Sequence, residues 1–274
     1  MIIKKGNFDV LISEKSVDEF HDREMMKFWN NHYRKAWEAH TFEVFDKYLS
    51  KDYGYLDIGA WIGPTILYGA HLAKRVYCFE PDRVAYQYLL NNISENRDIK
   101  EKIIPFEFGI SNQNTERRFY VGTGSSSMSS LKPIWSKKDS YLVTIYDFPT
   151  AMQKAGIDIQ TINFIKIDIE GGEYDLIPSM LEYFEKEDCY PILYISLHAP
   201  FLFSSKWRTY SLLKAISFLP RKIIARVYNR KIVKLLSKHY RLYLRDGKKL
   251  KNTSELRDAR AFVEIVALHQ SLTK

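Results

Sequence analysis

Acidic side chains stand at the ends of short apolar segments, and a helical pattern follows each of these segments. In the first, YLDIGAWIGP, Asp57 precedes a turn that contains Gly59 and Gly63. Glycines between a strand and a helix leave backbone N–H groups open at the helix N-terminus, where a ligand can approach. Pro64 suits the first helical position, because its missing N–H needs no partner there. The stretch predicts a ligand-binding turn.

A second acid, Glu80, ends the next apolar segment, 21 positions after Gly59. A carboxylate at this spacing suits bidentate recognition of ribose hydroxyls. The dinucleotide fingerprint G-x-G-x-x-G is missing, and the charge of Asp57 would repel a pyrophosphate. S-adenosylmethionine has a ribose, a sulfonium and an amino-acid tail but no phosphate, so we expect it to bind here and NAD not to bind. In the alternative interpretation, Asp57 and Glu80 cap only the turn and the following helix.

A third group of ionisable residues ends two further segments, NFIKIDIE and YPILYISLH. Lys166, Asp168 and Glu170 alternate along the first, and His198 ends the second. Ligands of open α/β sheets bind outside the carboxyl ends of the strands, where these side chains fall. An imidazole with an ordinary pKa of about 6.5 suits a general base at neutral pH.

We therefore predict a catalytic group of Asp168, His198 and Glu170. Methyl transfer depends mainly on proximity and alignment, but an alcohol acceptor must also lose its proton as the new bond forms. Asp168 or His198 would accept this proton while the other orients it. In one alternative, Lys166 pairs with a carboxylate and Glu170 caps a helix. In another, the catalytic group holds a divalent cation, since oxygen ligands suit magnesium; our expectation is a site without metal.

The elements that must position these residues alternate between strand and helix patterns from about residue 53 onward. We predict an α/β fold with a doubly wound, Rossmann-like parallel sheet, an antiparallel C-terminal strand and an N-terminal helical extension. Residues 1–50 form the predicted helical lead-in. Residues 51–274 form one domain, with a basic helical insertion at about 206–238.

Composition indicates an ordinary globular protein of 274 residues, 46% hydrophobic and 27% charged. Cys78 and Cys189 lie far apart within apolar runs, which favours free thiols in a reducing compartment. The N-terminal residues lack the apolar run of a secretory signal, and no apolar segment is long enough to span a bilayer. We expect a cytoplasmic protein.

The quoted segments together resemble the class I methyltransferases of the FkbM type. The pieces that carry the resemblance are, in order along the chain, WEAHTFEVFDKYL, YLDIGAWIG, CFEPD, FGISNQNTERRFYV, the SSSMSSL loop, KIDIEGGEYDLI and AFVEIVALH. The resemblance runs from about Trp37 to His269 and weakens after His198. One departure is Trp61, which stands where the family commonly has a small polar residue, often Asn.

The resemblance implies a seven-stranded sheet, S-adenosylmethionine as the methyl donor, and O-methylation of a carbohydrate, a glycan precursor or a secondary metabolite. It gives cofactor-binding roles to Asp57, Gly59, Gly63 and Glu80. We add Ala60 and Pro81 beside them, and Ser111 from the segment 109–112, where we expect adenine to be recognised. The Ser-rich segment 125–131 is expected to cover the acceptor as a lid. Two other functions stay open: an RNA methyltransferase, and a nucleoside-binding protein without turnover.

The segment 206–251 is strongly basic, with fifteen Lys or Arg and one acid, so the rest of the chain carries −6 of the total +8. Within it we predict two helices broken at Pro220. Ile223, Ile224, Val227, Ile232, Val233 and Leu236 would share one side of the second helix, between basic flanks. Such a helix can lie on an anionic membrane. Alternatively, its apolar side packs onto the domain, or its charges hold RNA phosphates.

Overall fold

The computed structural model describes residues 1–35, 37–120, 140–199, 214–251 and 263–272. The predicted lid at 125–131 lies outside the described residues. The strands are β1 Ile2–Lys5, β2 Phe8–Leu11, β3 Gly54–Ile58, β4 Arg75–Phe79, β5 Ile103–Phe106, β6 Gly109–Ser111, β7 Thr115–Tyr120, β8 Ser140–Asp147, β9 Ile162–Ile167, β10 Ile192–Leu197, β11 Tyr240–Leu244 and β12 Val263–His269. The α-helices are α1 Glu19–Lys27, α2 Ala39–Tyr48, α3 Pro64–Leu72, α4 Arg83–Glu95, α5 Phe148–Ala155, α6 Glu173–Glu187 and α7 Lys214–Leu236.

The central sheet confirms the predicted doubly wound fold. In the described part of the chain it has seven strands in the order β11-β12-β10-β9-β3-β4-β5. Strands β10, β9, β3, β4 and β5 are parallel, whereas β12 pairs antiparallel with both β10 and β11. Because parallel strands all point the same way, β3, β4, β9 and β10 end at one edge of the sheet, and their following residues meet there.

Helices cover both faces of this sheet, which explains why its central strands are largely apolar. All residues of β3 and β10 are buried. One core lies among α5, α6 and α7, and a second lies among α2, α3, α4 and the N-terminal segment. Within the described residues, no helix is both long and apolar enough to cross a membrane.

The N-terminal segment is less uniformly helical than predicted, because it begins with the hairpin β1–β2. Ile3 and Val10 pair across this hairpin and are both buried. Lys5 fixes the chain that follows α1, since its Nζ donates to the carbonyl oxygens of Tyr33, Lys35 and Trp37 at 2.8–3.3 Å. The hairpin thus holds the segment that leads into α2.

The predicted break at Pro220 is wrong, because α7 runs through it from Lys214 to Leu236. Among residues 223–236, the part of α7 whose side chains the structure describes, the apolar residues also divide between two sides instead of sharing one. The buried ones are Ile232, Val233 and Leu236. The exposed ones are Ile223, Ile224, Val227 and Tyr228. The C-terminal part of α7 therefore packs on the domain, and a more N-terminal part presents apolar side chains outward.

Candidate active site

A cavity of about 360 Å³ opens at the edge of the sheet where β3, β4, β9 and β10 end. Its walls come from the loops after these strands, from β6 and the small sheet β6-β8-β7, and from the N-terminal segment. The predicted residues in these walls are Gly59, Ala60, Glu80, Pro81, Asp168, Glu170 and His198. The fold thus brings seven of the ten predicted site residues to one cavity.

The turn after β3 is shaped by Gly59, whose φ is +95°. A Cβ at this position would lie 2.0 Å from the carbonyl oxygen of Asp168, so no side chain fits there. The backbone N–H groups of the turn are used within the protein: those of Gly59 and Ala60 donate to the Phe79 oxygen at 3.1 Å. These two N–H groups therefore have partners within the protein, and the turn brings bare backbone to the cavity. Open N–H groups at the N-terminus of α3 remain a prediction.

Glu80 lies in the cavity wall and is held by two backbone donors. Its Oε2 accepts the Trp61 N–H and its Oε1 accepts the Asp82 N–H, both at 2.8 Å. Burial, followed by the negative charge of Asp82, raises the pKa of Glu80 to about 8. Two N–H donors fix the carboxylate without using all of its acceptor positions, so it can still accept hydroxyl groups from a ligand.

Three predicted site residues lie outside the cavity walls. Asp57 is fully buried below the turn, where it accepts hydrogen bonds from the hydroxyls of Tyr55 and Thr65. Gly63 has a φ of +93° and faces Leu89, which a Cβ would meet at 2.7 Å. Ser111 is also buried. In this geometry, the Asp57 carboxylate does not face the cavity, so it does not contact a ligand there directly.

Side chains of alternating charge form a continuous series from Asp57 to Glu173 beside the cavity. Lys166 Nζ lies 3.6 Å from Asp57 Oδ1 and 3.3 Å from Asp168 Oδ2. His198 Nε2 lies 3.5 Å from Asp168 Oδ1, and its Nδ1 lies 2.9 Å from Glu173 Oε1. Glu173 also accepts the N–H groups of Ile169 and Gly171, at 3.0 and 2.9 Å. The side chains that follow β9 and β10 are thus bound into one network.

This network sets the protonation of its members. Burial alone would lower the pKa of His198, but the hydrogen bond and charge of Glu173, together with Asp168, raise it to about 10. Burial would raise the pKa of Asp168, but Lys166 and His198 lower it. With a pKa of about 10, the His198 imidazole is positively charged at neutral pH in the ligand-free site. The sequence analysis had assumed an ordinary imidazole pKa, which would suit a general base.

Besides Glu80, two further carboxylic acids in the walls have pKa values near neutrality. Burial raises the pKa of Glu170 to about 8, against a smaller opposing effect of His198. Glu170 follows the end of β9 at Ile167 and has a φ of +51°, so it does not continue the strand alternation on which its predicted orientation depended. Burial also raises the pKa of Glu38 to about 7.

Glu38, Glu173, Phe28 and Trp37 were not among the predicted site residues, and Trp61 was noted only as a departure from the family pattern. Phe28, Trp37 and Trp61 line the cavity, and the Phe28 ring lies 5.0 Å from Trp37 and 4.5 Å from Trp61 between centroids. Trp61 has a φ of +50°. This is the left-handed region, which Asn tolerates better than a bulky residue such as Trp.

The alternative of a divalent cation also has a geometric basis. Asp168, Glu170 and His198 each place one possible ligand atom within 4.8 Å of the others. The ammonium of Lys166 already lies beside Asp168, so the carboxylate has a cationic partner in the chain itself.

Residues 57–222, more than half of the chain, match the family model described as a methyltransferase FkbM domain. No curated protein matches the chain. Among solved structures, a methyltransferase FkbM from Methylobacillus flagellatus KT has 17% identity and a TM-score of 0.45; the match covers 92% of this chain and 56% of that one. The chain thus spans little more than half the length of that protein.

Two further solved structures are similar at lower identity. An O-methyltransferase from Bacillus cereus in complex with SAH has 12% identity, a TM-score of 0.43 and 92% coverage of both chains. A putative methyltransferase from Streptococcus mutans in complex with SAH has 14% identity, a TM-score of 0.41, and coverage of 84% of this chain and 96% of that one.

Proposed function

The chain belongs to the methyltransferase FkbM domain family, and from this premise we propose that it transfers a methyl group from S-adenosylmethionine to a hydroxyl of a carbohydrate, a glycan precursor or a secondary metabolite. One observation carries the proposal. A single cavity has a carboxylate suited to a ribose at the end of β4, Glu80, and an ionised network at the ends of β9 and β10. Between them lies a turn whose Gly59 leaves the backbone uncovered.

The cofactor fits the residues present. Glu80 accepts the ribose hydroxyls, and Ala60, Pro81 and Ile110 supply apolar walls beside it. The cavity walls also hold Glu38, Asp168 and Glu170, whose carboxylates favour a cationic ligand. When bound, S-adenosylmethionine supplies an activated methyl group on its sulfonium.

The chain's contribution to the chemistry is alignment and removal of one proton. In the transfer an oxygen–methyl bond would replace the carbon–sulfur bond, whose electron pair would stay on sulfur, so the protein has to align the acceptor and take up its hydroxyl proton. Glu170 accepts the hydroxyl proton, because a pKa of about 8 lies near the operating pH. Asp168 stays ionised between Lys166 and His198 and orients the hydroxyl by accepting its hydrogen bond. No step requires a metal.

The aromatic side chains favour a sugar over a small alcohol. Phe28, Trp37 and Trp61 contribute aromatic side chains to the cavity walls. The apolar face of a pyranose can pack on such rings while its hydroxyls reach the carboxylates. A methyl-transfer screen with labelled S-adenosylmethionine over nucleotide sugars, glycans and RNA tests the proposal. Labelling of the sugars or glycans is expected; labelling of RNA alone would contradict the acceptor class.

The exposed side of α7 supports the proposal that the enzyme works at the cytoplasmic face of an anionic membrane. Ile223 and Val227 are 53% and 55% exposed, and the neighbouring basic residues are also exposed. These are Arg226, Arg230, Lys231 and Lys234. A lipid-linked glycan would be an acceptor within reach of an enzyme held there by apolar insertion and basic charge.

A further inference from the structure

Glu38 has a backbone conformation that its local structure does not require. It directly precedes α2 with φ +44° and ψ +41°, and its side chain makes no capping hydrogen bond to the helix. Left-handed backbone is uncommon for residues other than glycine and concentrates at ligand sites. Here it accompanies a side chain in the cavity wall, outside the residues that match the family model.

The position of Glu38 is fixed from both sides. On its N-terminal side, Lys5 Nζ donates to the carbonyl oxygens of Lys35 and Trp37, at 3.3 and 3.2 Å. On its C-terminal side, the Thr41 hydroxyl donates to Glu38 Oε2 at 3.1 Å and lies 3.0 Å from the Tyr194 hydroxyl of β10. A surface acid would need no such support. The carboxylate is held at a defined place in the cavity.

The charges around Glu38 favour a positively charged partner. Burial and then the like charge of Asp168 raise the pKa of the Glu38 carboxyl, and the charge of Lys166 offsets this only in part. The Lys166 ammonium lies 3.3 Å from Asp168 and 3.6 Å from Asp57, so it is already shared by two carboxylates. A positively charged group of a ligand would stabilise the ionised Glu38 carboxylate, which Lys166 does only in part.

We propose that Glu38 binds the α-ammonium group of the amino-acid tail of S-adenosylmethionine. The inference rests on the proposed function and on the order of the strands. Glu80 follows β4 and Asp168 follows β9, with β3 between them, so two strand spacings of about 4.8 Å separate the two ends. A ligand whose ribose lies at Glu80 extends across Gly59 and brings its tail to the Glu38 side of the cavity.

Two ligands that differ only in the tail test this assignment. S-adenosylhomocysteine carries the ammonium, whereas 5′-methylthioadenosine has the same adenosine and thioether without the amino-acid tail. We expect Glu38→Gln to weaken S-adenosylhomocysteine about tenfold or more in calorimetric titration, and to leave methylthioadenosine unchanged. Glu43→Gln, an exposed acid on α2, is the matched control and should change neither affinity.

Equal weakening of both ligands, or of neither, would overturn the proposal. If the parent protein binds neither ligand, the proposed function itself fails instead. Glu38→Gly covers the case in which Glu38→Gln does not fold, because glycine accepts the left-handed backbone. We expect it to keep the melting temperature of the parent and to lose the same affinity for S-adenosylhomocysteine. Full affinity in a folded Glu38→Gly protein would also contradict the role.

Discussion

His198 Nδ1 lies 2.9 Å from Oε1 of Glu173, a carboxylate with no solvent exposure. Glu173 begins α6 and also accepts the backbone N–H groups of Ile169 and Gly171. One side chain therefore fixes the loop after β9 and orients the imidazole after β10. Since His198 Nε2 faces Asp168, this contact sets the charge on the cavity side of the network.

Replacing Glu173 with Gln should lower the pKa of His198 from about 10 towards its ordinary value. The amide still fills the space, but it no longer carries the negative charge that favours the imidazolium. We also expect a loss of about 1.5–3 kcal/mol in the free energy of unfolding, because a buried charge-assisted hydrogen bond is lost. NMR titration of the histidine ring nitrogens measures the first effect. An unchanged His198 pKa would show that Glu173 does not control its charge.

Replacing Glu170 with Gln should lower kcat by about 10²–10⁴-fold and leave the affinity for S-adenosylhomocysteine within about twofold. The amide cannot accept the proton of the acceptor hydroxyl. Glu182→Gln, an exposed acid on α6, is the control and should keep full turnover. Steady-state kinetics with the acceptor from the screen provide the measurement. Full turnover by Glu170→Gln would exclude Glu170 as the proton acceptor.

The stability of the ligand-free protein should fall as the pH rises from about 5 to about 8. The folded-state pKa values of Glu38, Glu80 and Glu170 are raised by burial to about 7, 8 and 8. The folded state therefore keeps protons that the unfolded chain releases at lower pH. The resulting contribution to the free energy of unfolding is lost as the pH rises and these groups ionise. His198 acts in the same direction, because its folded pKa of about 10 is also raised.

Calorimetric melting temperatures at constant ionic strength measure this dependence. Glu80→Gln should flatten the profile, since the amide does not titrate. A profile that rises with pH over this range would contradict the raised carboxyl pKa values.

Replacing Val227 with Asp should abolish binding to anionic vesicles at low salt. The change places a negative charge within the exposed apolar and basic side of α7, where Val227 is 55% exposed. Leu142→Asp is the matched control, because Leu142 is 49% exposed on β8, far from α7 in sequence. Co-sedimentation with neutral and anionic vesicles measures the effect. Equal binding of the parent to both vesicle types would rule out the membrane interaction.

Much of the fold follows from local sequence. The apolar runs of β3, β4, β9 and β10 alternate with helical patterns, and parallel strands place their carboxyl ends together. The expectation that Asp168, Glu170 and His198 share a site with Glu80 depends only on this rule, and the cavity contains all four.

Other features depend on long-range packing that no local pattern contains. Glu38 is placed at the cavity because Lys5 holds the carbonyl oxygens of Lys35 and Trp37 beside it and the Thr41 hydroxyl donates to its carboxylate. The Thr41–Tyr194 contact joins residues 153 positions apart. Asp57 lies below the cavity because Tyr55, Thr65 and Lys166 hold it there. The pKa of His198 likewise depends on Glu173, 25 positions away, so the residue type alone indicates the wrong charge.

The most direct test is calorimetric titration of S-adenosylhomocysteine into the parent and Glu80→Ala proteins, with NAD as the negative ligand. The account predicts that the parent binds S-adenosylhomocysteine and not NAD. Measured above pH 8, where Glu80 is ionised, Glu80→Ala should bind more weakly by about 1.5–3 kcal/mol, or roughly tenfold to a hundredfold, because the hydrogen bonds from the ribose to a charged group are lost. A Glu80→Ala protein that binds S-adenosylhomocysteine as tightly as the parent, or a parent that does not bind it at all, would contradict the account.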